Sequence, residues 1–247
     1  MSLYGGSAAY YAAGRMPYPP GIPDALGLDG TQRLLDVGCG PGSLTVLLAP
    51  HVAEAIGIDA DAEMIAAAPK LANVEWRHMA AEDLPADLGR FDLVTFAQSF
   101  HWMDQEKVAR AVREMTDTLV HVQATTHRGD ASTDPLPHPR PPHDEIDALI
   151  RSYVGPPVRT GRRWEEETLR RAGFDALRRV EVDAGGVVTR TADEIVAATF
   201  SLSYANPGRF GDRREQFEAD LRALLERTSP SGAFSERRRP VALDIWS

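Results

Sequence analysis

The segment RLLDVGCGPGSLT, Arg33 to Thr45, constrains the fold of this chain more than any other stretch. An apolar run ends at Asp36, and Gly38, Gly40 and Gly42 follow at once, ahead of a second apolar run. A strand that passes through a glycine-rich turn into a helix lets backbone approach a ligand closely, and the helix start supplies unpaired N–H groups. From Arg33 to about Thr126 short apolar runs alternate with longer amphipathic ones, the pattern of a parallel sheet covered by helices. Strands are expected at Arg33 to Val37, Ala53 to Asp59, Val74 to Met79, Asp92 to Ala97 and Leu119 to Thr125. Helices fit Gly42 to Ala49, Ala62 to Ala68 and Gln105 to Thr118. Each connection between strands is then a right-handed crossover.

The alternation breaks at DPLPHPRPPHDE, Asp134 to Glu145, where five prolines exclude both helix and interior strand and leave an extended connection. Beyond it DEIDALIRSY and RRWEEETLRRAGF read as helices, the second stopped at Gly173. LRRVEVDA, Leu177 to Ala184, is a strand candidate, and VALDIW near the end is another. TADE, Thr191 to Glu194, has capping-box spacing before IVAATFSLS. A longer helix over Asp212 to Arg227 carries Phe217, Leu221, Leu224 and Leu225 at helical spacing.

Two cofactor classes use a strand, a glycine turn and a helix. The dinucleotide fingerprint G-x-G-x-x-G takes an acidic residue about 20 positions on, and Asp59 stands where either class wants a carboxylate on a ribose. Here the third glycine comes one place early, as G-x-G-x-G with Pro41 inside. A carboxylate at Asp36 beside the turn would repel a pyrophosphate and favour a cationic amino or sulfonium group. The glycine spacing and Asp36 together therefore favour S-adenosylmethionine over a nicotinamide cofactor.

These residues resemble the class I S-adenosylmethionine-dependent methyltransferases, in particular their small-molecule, type 11-like branch. LLDVGCGPGSLT is similar to the first motif of that family, AIGIDADAEMI to the second, AAEDLP to the adenine-contacting turn, and FDLVTFAQSFHWMD to the segment lining the transfer site. The likeness is strong from Arg33 to about Thr125. Less specifically it reaches YYAAGRMPYP and SLSYANPGRFGDRREQFEADLRALL, which looks like an acceptor-side cap. Met79 stands where relatives often carry a glycine.

The resemblance implies an α/β, Rossmann-like, doubly wound and mostly parallel sheet of seven strands with helical lid or cap segments. It implies one methyltransferase domain over 1–247, with a cap at 1–32, a cofactor-binding core at 33–127, a proline-rich insertion and helix at 128–165, and C-terminal strands with a lid at 166–247. By the same likeness Gly38 and Gly40 would hold the methionine end of the cofactor near Asp36, and Asp59, with Ala60 beside it, the ribose. Met64, Ala81 and Glu82 would meet the adenine, and Ala97 and Gln98 the amino group. Arg15 would meet the cofactor carboxylate, with Tyr11 folded over the methionyl chain.

Methyl transfer from a sulfonium is an in-line displacement that needs alignment and exclusion of water, with S-adenosylhomocysteine as the product. An alcohol or phenol acceptor also needs a base, for which His101 is the candidate; the alternative is that His101 and Trp102 only shape the pocket wall. Tyr18, Phe100 and Trp102 are candidate acceptor-side residues, which could face a cation with their rings or be plain packing. The expected activity is methylation of an oxygen, nitrogen or carbon of a small molecule, plausibly a natural-product or metabolite intermediate. The alternatives are a regulator or scaffold that binds S-adenosylmethionine without turnover, and a nicotinamide oxidoreductase.

Charge narrows the partners. Asp plus Glu number 36 against 27 Lys plus Arg, a formal charge of −9, so a nucleic-acid partner is not expected. No apolar run approaches a membrane span, and the N-terminal residues lack the apolar core of a signal peptide. The single cysteine, Cys39, cannot form an internal disulfide and reads as a small buried filler. These features point to the cytoplasm. His78, His121, His127, His138 and His143 lack regular ligand spacing, so no metal is expected. RRWEEETLRR and SERRRP read as solvated surface, and the oligomeric state is left open.

Overall fold

Seven strands lie side by side in the order β3-β2-β1-β4-β5-β9-β6 in the computed structural model of the chain, which describes residues 6–131, 134–156 and 165–247. They are β1 (Arg33–Val37), β2 (Glu54–Asp59), β3 (Val74–His78), β4 (Leu93–Ala97), β5 (Leu119–Gln123), β6 (Leu177–Val182) and β9 (Val241–Trp246), with β7 (Val187–Thr191) and β8 (Ala233–Arg237) forming a separate antiparallel pair. The first five strands are parallel, and β9 runs antiparallel between β5 and β6. The chain winds outward from β1 to β2 and β3, then crosses back to β4 and β5. That reversal puts a switch point beyond the carboxyl ends of β1 and β4, where open sheets of this kind bind ligands.

The chain divides into two units. The sheet unit comprises Tyr18–Ala124, Thr160–Ala184 and Pro240–Ser247, and the helical unit Met1–Pro17, Thr125–Arg159 and Gly185–Arg239. The segments 1–32, 33–127, 128–165 and 166–247 set out from the sequence are thus distributed over both units rather than falling one to each.

In the sheet unit the helices are α2 (Ile22–Leu26), α3 (Ser43–Leu48), α4 (Ala62–Ala67), α5 (Gln105–Met115) and α7 (Glu165–Arg171). Alternate residues of a strand point to opposite faces. Leu35 and Val37 therefore join a core with Ile56, Phe96 and Val108, and Leu34 joins another with Leu44, Leu48 and Val120. Both faces of β1 are covered, and Leu34 through Val37 have no exposed surface. A strand buried on both faces reads as a continuous apolar run rather than an alternating one.

The helical unit holds α1 (Ala8–Gly14), α6 (His143–Val154), α8 (Ala192–Phe200), α9 (Arg214–Thr228) and the β7/β8 pair. Its core gathers Phe200, Phe210, Phe217, Leu221 and Phe234, with the Phe210 and Phe217 rings stacked at 4.0 Å. Gly14 lets α1 lie against α8, since a Cβ there would fall 2.1 Å from the Ala198 nitrogen. Thr191 and Glu194 form the expected capping box at the start of α8.

Several boundaries differ from expectation for local reasons. The helix expected over Gly42 to Ala49 begins at Ser43, because Gly42 is left-handed at φ +86°, and Ala49–His51, with Pro50, form a 3-10 turn. The helix expected to reach Thr118 stops at Met115, where Thr116 is extended and its hydroxyl accepts from the Thr118 N–H at 3.1 Å. The helix expected from Asp212 begins at Arg214, after a 3-10 turn over Gly211–Arg213. Residues 162–164 of the helix expected over RRWEEETLRRAGF lie outside the described residues; the described part ends at Arg171, and Gly173 follows at φ +96°. The segment SERRRP is not solvated throughout, for it contributes β8, where Ser235 and Glu236 are buried.

Candidate functional site

The turn after β1 is tied down from below. The N–H groups of Gly38 and Cys39 both donate to the Ile58 carbonyl on β2, at 2.8 and 3.0 Å, which curls the chain back over the strand ends. Gly38, Gly40 and Gly42 all take positive φ, but their surroundings differ. A Cβ at Gly38 would lie 2.4 Å from Ser99 Cβ, and one at Gly42 would lie 2.3 Å from Cη2 of Trp76. At Gly40 a Cβ would meet nothing within 4 Å. The first and third glycines thus serve close packing, and the middle one exposes backbone to open space. Trp76, which the sequence reading passed over, fills the space above Gly42 and Gly57 and anchors its indole N–H on the Pro69 carbonyl at 2.8 Å.

Two carboxylates flank this turn in different ways. Asp59, partly exposed at the end of β2, accepts from the Gly40 N–H at 2.8 Å and from the Asp61 N–H at 2.8 Å. Burial holds its carboxyl above the usual range, against the pull of those two amides. Asp36 requires a correction. It has no exposed surface, and its two oxygens accept from the hydroxyls of Thr45 and Thr95 at 2.6 and 2.8 Å. It therefore braces the turn from beneath and does not face the space above Gly40. Desolvation raises it to about 6, opposed by the two hydroxyls, with Asp59 adding a smaller upward push.

The end of β4 forms the opposite side. Gln98 stands at φ +59°, a conformation unusual for a residue with a side chain and recurrent at functional sites. Its amide donates to the Val122 carbonyl at 3.0 Å. The Ser99 hydroxyl donates to the Val37 carbonyl at 2.5 Å, binding this loop to β1. His101 and Trp102 follow in a 3-10 turn, partly exposed, their rings 4.8 Å apart. Phe100 is 2% exposed, packs on Phe96 and His121, both at 5.0 Å, and lines a small cavity with Gln98 and His101. The acceptor-side role expected of it is corrected to core packing. Tyr18 is corrected likewise, being buried in the core with Ile22 and Leu34.

The remaining residues expected around the cofactor differ in exposure. Ala60 is exposed beyond β2, and Ala97, which ends β4, is partly buried. Ala81 sits buried in a 3-10 turn over Ala81–Asp83, and Met64 on α4 is already covered by protein. The Glu82 carboxylate accepts from the Asp104 N–H at 2.8 Å, joining that turn to the start of α5. Tyr11 and Arg15 belong to the helical unit. There Arg15 lies over the Tyr11 ring and donates to the Ser201 hydroxyl and carbonyl at 2.8 and 3.0 Å.

His121, set aside in the sequence, is held on β5 behind this loop. Its Nε2 is buried without a hydrogen-bond partner among the described residues, and burial, with His101 adding to it, pushes it down to about 4. No sequence signal marks it, because one imidazole in an apolar strand reads as packing. Among the described residues no group of three or more His, Cys, Asp or Glu is placed to hold a metal ion, and no helix is long and apolar enough to cross a membrane.

Residues 34–121, the stretch that builds this turn and the strands around it, match the family model described as a methyltransferase domain. An uncharacterized methyltransferase of Mycobacterium tuberculosis strain H37Rv is 35% identical over 124 residues, 48% of this chain and 49% of that one. An uncharacterized methyltransferase of Bacillus subtilis, YcgJ, is 36% identical over 94 residues, 36% of each chain. The matches thus span half or less of these relatives. The crystal structure of YcgJ superposes with a TM-score of 0.52 at 20% identity, covering 92% of this chain and 96% of that one, and at that identity it speaks to the fold.

Proposed function

We propose that the chain, whose residues 34–121 match the methyltransferase-domain family model, is a class I, S-adenosylmethionine-dependent enzyme that methylates an oxygen, nitrogen or carbon of a small molecule. One observation carries the reading to this site: the backbone at Gly40 is open where Gly38 and Gly42 are filled, and its N–H is held by the Asp59 carboxylate. Open main chain at a switch point, with a partly exposed carboxylate beside it, fits the methionine end and the ribose of the cofactor.

The cofactor supplies a methyl group on a sulfonium, and the chain's own residues position and shield it. Backbone at Gly38 and Gly40 holds the amino-acid end, and Asp59 turns its carboxylate to the ribose hydroxyls. Ala60 lies beside Asp59 at the ribose, Met64, Ala81 and Glu82 form the adenine side, and Ala97 and Gln98 meet the amino group. Asp36 keeps the turn in shape through Thr45. Trp102 walls the acceptor side and helps exclude water. His101, partly exposed, takes the proton of a hydroxyl acceptor at one ring nitrogen, while an amine acceptor loses its proton to solvent.

The test begins with calorimetric titration of the purified chain with S-adenosylmethionine and S-adenosylhomocysteine. Binding of both, followed by labelled product from a pool of small molecules incubated with methyl-labelled cofactor, is the expected result. No heat at millimolar cofactor removes the reading, and binding without any labelled product leaves a regulator in its place.

A further inference from the structure

The helical unit contains a cavity whose polar lining includes His127, Arg128, His143 and Asp147, with Ile195 and Leu202 on its apolar side. We propose that this cavity binds the carboxylate of a small organic acid, received by the Nε–H of Arg128 and the ring of His127. The inference concerns the helical unit alone and does not rest on the transferase reading.

Three observations carry it. The first is an unmet donor: the Nε of Arg128 is buried and has no hydrogen-bond partner among the described residues. Its Nη1 is meanwhile paired with the Asp147 carboxylate at 3.2 Å. A buried donor left unpaired costs about 1–3 kcal/mol, more when it is charged, and an incoming oxygen removes that cost.

The second is the charge balance. Asp147 is matched by Arg128, and Glu236 by Arg190 at 2.9 Å, with His143 also on Glu236 at 2.6 Å. Arg15 and Arg239 also act electrostatically on His127. Among the described residues their hydrogen-bond partners are neutral: the Ser201 hydroxyl and carbonyl and the Thr126 hydroxyl for Arg15, and the Gly129 carbonyl for Arg239. Positive charge is therefore in excess around the cavity. Burial first, then Arg15, Arg128, His143 and Arg239, hold His127 well below the ordinary imidazole value. Burial disfavours either sign of charge, and it is the cations around His127 that favour an anion over a further cation.

The third is size and polarity. The cavity is partly open and its accessible space is about 20 Å³, which admits at most the headgroup of a small acid and excludes a nucleotide. Ile195 and Leu202 make one side of the lining apolar, and the cavity's open side leaves the rest of the acid outside. A carboxylate carried on an apolar body meets all three conditions.

The experiment follows the Arg128 Nε–H resonance of the full chain labelled with 15N-arginine during titration with sodium butanoate at constant ionic strength. A saturable shift with butanoate, and none with butan-1-ol or sodium chloride, is expected. Arg128→Gln combined with Asp147→Asn should weaken apparent butanoate affinity about tenfold, read from the His127 ring resonances. Absence of a saturable shift, an equal response to chloride or phosphate, or unchanged affinity in the double variant overturns the proposal. Should the double variant not fold, the wild-type Arg128 resonance alone decides.

Discussion

Asp36 shows how one residue couples folding to pH. Its folded-state value of about 6 lies above its ordinary 3.8 because burial penalises the charged form. Folding thus favours the neutral acid: its stabilisation is full below the unfolded value and is lost as pH rises through about 6. Roughly two units correspond to about 3 kcal/mol. Urea unfolding from pH 4 to 8 should show wild type losing about that much relative to Asp36→Asn, whose neutral amide can still pair with Thr45 and Thr95. A difference between the two that stays flat across this range contradicts the assignment. Asp59 makes the contrasting case, because its carboxylate is partly exposed and already holds the Gly40 N–H. Asp59→Ala should weaken S-adenosylhomocysteine binding by about 1.5–3 kcal/mol, the scale of a charge-assisted hydrogen bond. Calorimetry that finds affinity unchanged removes Asp59 from the ribose. Asp59 was legible from its distance to the glycines. The burial of Asp36 was not, since Thr95 lies 59 residues away.

At the scale of elements, the glycine turn separates two requirements that the sequence presents as one motif. Gly40 is left-handed in open space, whereas Gly42 is left-handed beneath the Trp76 ring. Gly40→Ala should therefore cost only backbone strain, about 1–2 kcal/mol. Gly42→Ala adds overpacking of about 1–3 kcal/mol, measurable by urea unfolding. A double variant with Trp76→Ala should recover part of the excess at Gly42 and none at Gly40. Equal destabilisation by the two single substitutions would refute the division. The β1 strand and its turn were readable because an apolar run followed by closely spaced glycines is a local pattern. The β7/β8 pair was not, because α8 and α9 intervene between the two strands and neither has a complete apolar face of its own.

At the scale of the whole molecule, remote stretches of chain are held by a few groups. Within the helical unit Arg190 is 3% exposed, paired to Glu236, and donates to the carbonyls of Gly14, His127 and Glu194. Arg190→Met should lower stability by about 3–5 kcal/mol, because it strands a buried carboxylate, and adding Glu236→Gln should restore part of the loss. Guanidinium unfolding of the full chain measures both, and a near-neutral single variant refutes the role. Within the sheet unit β9 alone joins β6 to β5. Deleting residues 241–247 should abolish cooperative unfolding of that unit, and a native-like near-ultraviolet spectrum in the truncated chain contradicts this. The sequence by itself determined the parallel strands from β1 to β5, the glycine turn, the position of Asp59 and the capping box of α8, because each follows from spacing within one short stretch. Only the tertiary structure decided that Asp36 and Glu236 are buried, that Phe100 and Tyr18 serve the core, and that His127 and Arg128 line one cavity. Burial and electrostatic partnership depend on which distant segments pack together, and no local pattern records that.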